Sequence, residues 1–200
     1  MKIKILNPQD GYSLIADYYN KKNDYWDSFE KGRVLPLLGN VEGLKILDVG
    51  GGNGRLAVKL VEIGGDVTVV DVSEEMIKNI KIKSSKLKTV IGDAESLPFE
   101  NESFDIVIAT FLIVHLKDLR LFFDEAYRVL KPGGKFLLTN INQRKAPAVK
   151  TEKGLVEIES YYHRPEAVIE KLQELAFSVE ENKFVKERGV WINQIILASK

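Results

Sequence analysis

The spacing of apolar residues along the chain switches repeatedly between two periods. Residues 44–49, 66–71, 87–91, 104–109 and 134–140 are short apolar runs, largely β-branched, and read as buried strands. Between them, residues 53–63, 74–82 and 119–130 repeat apolar positions at helical spacing. Strands alternating with helices in this way imply parallel strands, right-handed crossovers and helices on both faces of one sheet. After Pro165, which suits the first turn of a helix, residues 166–175 resume the helical period. Residues 177–184 and 191–198 then read as two further strands joined around Gly189. Upstream, residues 10–38 read as amphipathic helices. Tyr12, Ile15, Ala16 and Tyr19 form one stripe; Tyr25, Trp26, Phe29, Val34, Leu37 and Leu38 form a second. Residues 142–163 fit neither period well: 142–147 are polar and loop-like, and 155–161 alternate only in part.

The most informative junction joins the first strand to its helix, Asp48-Val49-Gly50-Gly51-Gly52-Asn53-Gly54-Arg55. A turn this rich in glycine lets a ligand lie against bare backbone and leaves the first helical amides pointing at it. A dinucleotide fingerprint, Gly-x-Gly-x-x-Gly, would place its third glycine at position 55, where this chain has Arg55. Asp71, at the end of the second strand, is the acid expected about 20 residues on to grip a ribose. It could equally cap the helix that starts near Glu74 and Glu75. The loop therefore points to a nucleoside ligand without the phosphate-binding spacing of a dinucleotide.

With these motifs the sequence resembles the class I S-adenosylmethionine-dependent methyltransferases, particularly the small-molecule, quinone-biosynthesis type. Five blocks occur in that family's order: residues 48–54, Asp71, residues 92–99 (Gly-Asp-Ala-Glu-Ser-Leu-Pro-Phe), residues 103–108 and residues 129–136. The resemblance implies a Rossmann-like α/β three-layer sandwich. Its seven-stranded sheet would be mostly parallel, in the order 3-2-1-4-5-7-6 with the last strand antiparallel. It implies S-adenosyl-L-methionine as cofactor and S-adenosyl-L-homocysteine as product. Asp48, Gly50, Gly51, Gly52, Asn53 and Gly54 would hold the methionine end, Asp71 the ribose, and Asp93 and the Ala94 amide the adenine. Val72, Glu95 and Thr110 complete the implied cofactor-binding set, with Tyr19 laid over the cofactor. His115, after the fourth strand, stands where the family often carries a histidine near the methyl group. A packing role for it is the structural alternative.

Length and composition fit that picture. Two hundred residues suit a single domain, divided into an N-terminal helical lid (1–43), a cofactor-binding core (44–140), and a substrate loop with C-terminal antiparallel strands (141–200). The 29 basic and 29 acidic residues cancel, which argues against a nucleic-acid partner. No apolar run suits a membrane span, and residues 1–6 are too short before Asn7-Pro8 for a signal peptide, so a cytoplasmic protein is expected. With no cysteine, a cysteine-ligated iron–sulfur cluster, radical chemistry that depends on one, a thiolate zinc site and a cysteine nucleophile are all excluded. His115 and His163 alone make a histidine metal cage improbable, and no metal is expected.

The expected chemistry is in-line methyl transfer to a small neutral or weakly polar acceptor, with Tyr18, Tyr19, Tyr25, Trp26, Tyr161 and Tyr162 lining the acceptor chamber. A base, where one is used, would be His115, His163, Tyr161 or Tyr162. Three other functions are compatible with parts of the pattern: a nicotinamide-dependent oxidoreductase, a cofactor-binding regulatory subunit without catalysis, and a protein or RNA methyltransferase. The Arg55 spacing disfavours the first. The apolar stretch Ala109-Thr110-Phe111-Leu112 lacks the Asn/Asp-Pro-Pro-Tyr signature of amino-nitrogen methylation and disfavours the last.

Overall fold

The computed structural model describes residues 3–83, 86–152 and 154–200. Met1 and Lys2, part of the stretch weighed above as a signal peptide, lie outside the described residues. In chain order the elements are β1 (Lys4–Leu6), α1 (Pro8–Asn20), α2 (Asn23–Glu30), α3 (Val34–Leu38), β2 (Lys45–Val49), α4 (Arg55–Glu62), β3 (Asp66–Asp71), α5 (Glu74–Lys83) and β4 (Lys88–Ile91). They continue with β5 (Phe104–Ala109), a 3₁₀ turn (Ile113–His115), α6 (Arg120–Val129), β6 (Leu130–Ile141), β7 (Val149–Thr151), β8 (Gly154–Ile158), α7 (Pro165–Glu174), β9 (Ser178–Glu187) and β10 (Val190–Ser199).

Seven strands form one sheet in the order β4-β3-β2-β5-β6-β10-β9. Counted from β2 as the first core strand, this is 3-2-1-4-5-7-6, the expected order. The strands from β4 through β6 pair in parallel, and β10 inserts antiparallel between β6 and β9. Strand alternation divides the core into two apolar layers. Leu47, Val49, Val107 and Ala109 face one layer with Phe122, Phe123 and Phe136. Ile46, Ile106 and Ile108 face the other with Leu60 and Ile80. Strands buried on both faces lose polar alternation, which is why they read as continuous apolar runs.

A second sheet, β1-β8-β7, was not legible in the sequence. Its first strand is only three residues long, and it pairs in parallel with β8 from the far end of the chain, Leu6 opposite Ile158. Gly11 in α1 lies so close to β8 that a Cβ there would come within 2.7 Å of Ile158 Cγ1. Helix α1 starts cleanly: Pro8 occupies the first turn and the Asn7 side chain accepts from the Asp10 amide at 2.8 Å. The N-terminal segment and the irregular segment are thereby joined to each other above the carboxyl ends of the parallel strands. Among the described residues, no helix is long and apolar enough to cross a membrane.

Candidate functional site

The loops after β2, β3 and β4 enclose a cavity of about 300 Å³ at the carboxyl edge of the sheet, the position where open α/β sheets bind ligands. Gly50, Gly52, Asp71, Val72, Asp93, Ala94, Glu95, Thr110 and Tyr19 all line it. Gly52 has φ +55°, and a Cβ there would point between the Gly50 carbonyl and the Tyr19 ring, each 3.9 Å away. Asp71 is buried, and its two oxygens accept from the Gly52 and Ser73 amides, both at 2.9 Å. Burial pushes its carboxyl up, against the pull of those two amides. The residue thus ties the glycine loop to the Ser73 amide ahead of α5 and also borders the cavity. The helix itself is capped by Ser73, whose Oγ accepts from the Met76 amide at 3.3 Å, and not by Asp71 as the alternative had it. Across the cavity Asp93 Oδ1 accepts from the Glu95 amide at 2.9 Å. The Ala94 amide has no intrachain acceptor among the described residues.

Four residues expected to touch the cofactor lie beneath the wall. The reason is the tightness of the turn, which sends Gly50 and Gly52 to the wall and tucks Gly51, Asn53 and Gly54 beneath it. Gly51 turns inward, where a Cβ would come within 2.6 Å of Val69 Cγ1 and 2.7 Å of Asp48 Oδ2. Gly54 packs on Ile80 and opens α4. Asn53 is fully buried; its Oδ1 accepts from the Arg55 amide at 3.2 Å, and its Nδ2 donates to Asn23 Oδ1 at 2.9 Å. Asp48 sits under the loop, sealed from solvent, with no donor to either oxygen among the described residues.

That isolation pushes the Asp48 carboxyl up to about 7, chiefly by desolvation, although nearby Arg55 pulls it down. A carboxyl raised in the folded state keeps its proton after the unfolded chain has lost it, so stability falls as pH rises. The window runs from about 4 to 7 and the loss is at most about 4 kcal/mol. Asp48→Asn should therefore be more stable than the parent at pH 8 and differ little from it at pH 4. Urea melts of the ligand-free protein at both pH values measure this; parallel curves would mean that Asp48 is ionised at no cost.

A second cavity, about 660 Å³, adjoins the first. Tyr12, Tyr19, Phe111 and His115 border both cavities and form the partition between them. Tyr12 Oη lies 2.7 Å from His115 Nε2, and His115 Nδ1 lies 2.8 Å from the Glu159 carbonyl oxygen. A carbonyl only accepts, so Nδ1 carries the proton and Nε2 accepts from Tyr12. Desolvation lowers the His115 pKa more than the Glu159 carbonyl raises it, which keeps the ring neutral at pH 7. The sequence places Tyr12 only in a hydrophobic stripe; its spacing of seven from Tyr19, one helix face, is the available signal of a site role.

Tyr18, Tyr19, Tyr25 and Trp26 line this second cavity as expected, whereas Tyr161 and Tyr162 do not. Tyr161 turns outward to Glu159 Oε1 at 2.5 Å, and Tyr162 supports the Arg144 guanidinium 4.9 Å from its ring centre. His163 Nε2 lies 3.0 and 2.9 Å from the Ile113 and Leu116 carbonyls, a structural position away from both cavities.

Helix α2 is clamped over the site by charge. Arg55 donates to both oxygens of Glu30, at 2.8 and 2.9 Å, and pairs with Asp27, to which Lys59 also binds at 2.8 Å. The residue that breaks the dinucleotide spacing thus anchors the helix carrying Trp26, which stacks on Tyr19 with ring centres 4.7 Å apart.

Comparison with known proteins gives the family. Residues 47–138 match the methyltransferase domain family. The ubiquinone/menaquinone biosynthesis C-methyltransferase UbiE of Rickettsia felis is 36% identical over 154 residues, covering 67% of this chain and 60% of that protein. The chain belongs to the class I S-adenosylmethionine-dependent methyltransferases. S-adenosyl-L-methionine is the cofactor of that family, and this chain's bare-backbone loop, buried Asp71 and cavity-lining Ala94 fit it. The chain spans about 60% of the length of the curated relatives it matches. A solved S-adenosylmethionine-dependent methyltransferase from Mesorhizobium loti superposes with a TM-score of 0.74 at 17% identity, over 86% of this chain and 98% of that one. The cyclase SpnF superposes equally well, TM-score 0.74 at 18% identity, over 100% of this chain and 99% of that one. The shared fold therefore does not decide the chemistry, which has to be argued from the site.

Proposed function

We propose that this chain transfers the methyl group of S-adenosyl-L-methionine to a small-molecule acceptor held in the second cavity. The observation that carries this is the shared partition: one cavity has the polar features of a nucleoside site, the other is aromatic, and they meet at Tyr12, Tyr19, Phe111 and His115. Asp71 would hold the ribose hydroxyls, Asp93 and Ala94 the adenine, and Gly50 and Gly52 the methionine backbone. The cofactor supplies a methyl group on a sulfonium sulfur, whose departure as a neutral thioether needs no acid.

The chain's own work is to align the acceptor, exclude water and take up a proton where the acceptor has one to lose. Tyr12 and His115 are arranged to take that proton. As Tyr12 Oη receives it from the acceptor, the hydroxyl passes its own to His115 Nε2. The imidazolium so formed keeps its Nδ1–H on the Glu159 carbonyl. The aromatic walls favour a flat acceptor, in keeping with the quinone chemistry in the name of the Rickettsia relative.

The test uses methyl-labelled cofactor with a metabolite extract fractionated by polarity. Label should appear in a discrete small-molecule fraction, and Asp71→Ala should weaken cofactor binding by about 1–3 kcal/mol, as expected for lost charge-assisted hydrogen bonds. Label confined to protein or RNA would overturn the proposal, as would an Asp71→Ala protein that binds cofactor normally.

A further inference from the structure

The acceptor cavity is not electrically neutral. Lys22, Arg144 and Lys145 line it, and no aspartate or glutamate does, in a chain whose 29 cations and 29 anions balance. These three residues are exposed, whereas Ile15, Val114 and Ile158 of the same cavity are buried. The cavity therefore runs from an apolar floor beside His115, past aromatic walls, to a basic mouth. The mouth cations are held by ring faces: Arg144 lies 4.9 Å from the centre of Tyr162, and Lys22 lies 5.5 Å from that of Tyr18. Among the described residues no carboxylate pairs with Lys22, Arg144 or Lys145.

We propose that the methyl acceptor is a flat aromatic molecule carrying an anionic group, its ring between the aromatic walls and its negative charge at Lys22, Arg144 and Lys145. The inference rests on the second cavity being the acceptor site and goes beyond it by fixing the acceptor's charge and orientation. The neutral acceptor expected from the sequence leaves three cations at the mouth without a function. An anion there neutralises them at little cost, because exposed cations need not be stripped of water to be paired. The same field concentrates anionic aromatics at the opening and orients them, with the reactive end toward the Tyr12–His115 pair. A carboxylate or a phosphate would serve equally, since both present acceptor oxygens to Arg144.

The chain's two tryptophans, Trp26 and Trp191, both line this cavity, so their indole N–H resonances in ¹⁵N-labelled protein report its occupancy. The probes are 2-naphthoate and its neutral near-isostere 2-naphthamide, titrated into protein saturated with S-adenosylhomocysteine. The naphthoate should shift both indole resonances and bind at least about tenfold tighter than the amide at about 20 mM salt. Most of that preference should vanish at about 500 mM salt, where the screening length is only a few ångströms. The triple variant Lys22→Gln/Arg144→Gln/Lys145→Gln should bind S-adenosylhomocysteine normally yet hold the two probes equally. Equal affinity in the parent, or a preference that survives the triple substitution, overturns the anionic acceptor while leaving the acceptor cavity in place. Unmoved indole resonances with both probes overturn the acceptor cavity itself, and the inference with it.

Discussion

Arg55→Ala should destabilise the protein by about 3–5 kcal/mol, the cost of leaving a buried charge without its partner. The Arg55 and Glu30 side chains are only 7% and 5% exposed. Removing the guanidinium strands the Glu30 carboxylate under α2 and frees Asp27 from one of its two cations. Helix α2 then keeps the Lys59–Asp27 pair, the Asn53–Asn23 bond, the Trp26–Tyr19 stack and its packing against β10, but loses its most buried polar tie to the core. Urea melts should record the loss, and limited proteolysis should show faster cutting at residues 21–23, beside the freed helix. The double variant Arg55→Met/Glu30→Met should recover most of the stability, because well-packed apolar residues often replace a buried ion pair without penalty. Parent-like stability in Arg55→Ala would mean that the clamp contributes nothing.

His115→Gln should lower kcat by roughly 10²–10⁴-fold for an acceptor that must lose a proton, the usual range for a positioned general base. Cofactor affinity should be unchanged. Tyr12→Phe should show a loss of the same kind, since it removes the hydroxyl that carries the proton to Nε2. The direction of the His115 shift sets the pH dependence. With its pKa below 6.5, the neutral base persists to lower pH than for a free imidazole. The acid limb of kcat/KM should therefore fall below the ordinary histidine range, and His115→Gln should abolish that limb. A variant that matches the parent rate across the whole profile would assign His115 to packing alone.

The parallel sheet was legible because burial on both faces leaves long β-branched runs, and because Gly50 to Gly54 break them so abruptly. The strand order came with the family resemblance rather than from periodicity. The features that periodicity hides depend on contacts between distant residues. β1 is too short to declare itself and takes its partner, β8, from the opposite end of the chain. Arg55 was visible as a departure from a spacing rule, but its purpose was not, since Asp27 and Glu30 lie 28 and 25 residues upstream. Within the glycine loop, residue type alone could not separate the wall positions Gly50 and Gly52 from the supports Gly51, Asn53 and Gly54. Only the turn geometry divides them. Tyr12 shared a visible stripe with Tyr19, but its bond to His115 depends on α1 crossing to the 3₁₀ turn after β5.

Calorimetric titration of the purified chain with S-adenosylhomocysteine, set beside the same titration with NADH, tests the central claim most directly. The glycine loop, Asp71 and the Ala94 amide should give one site per chain for S-adenosylhomocysteine and far weaker binding of NADH. Clear NADH binding with no heat from S-adenosylhomocysteine would contradict the cofactor site and everything built on it.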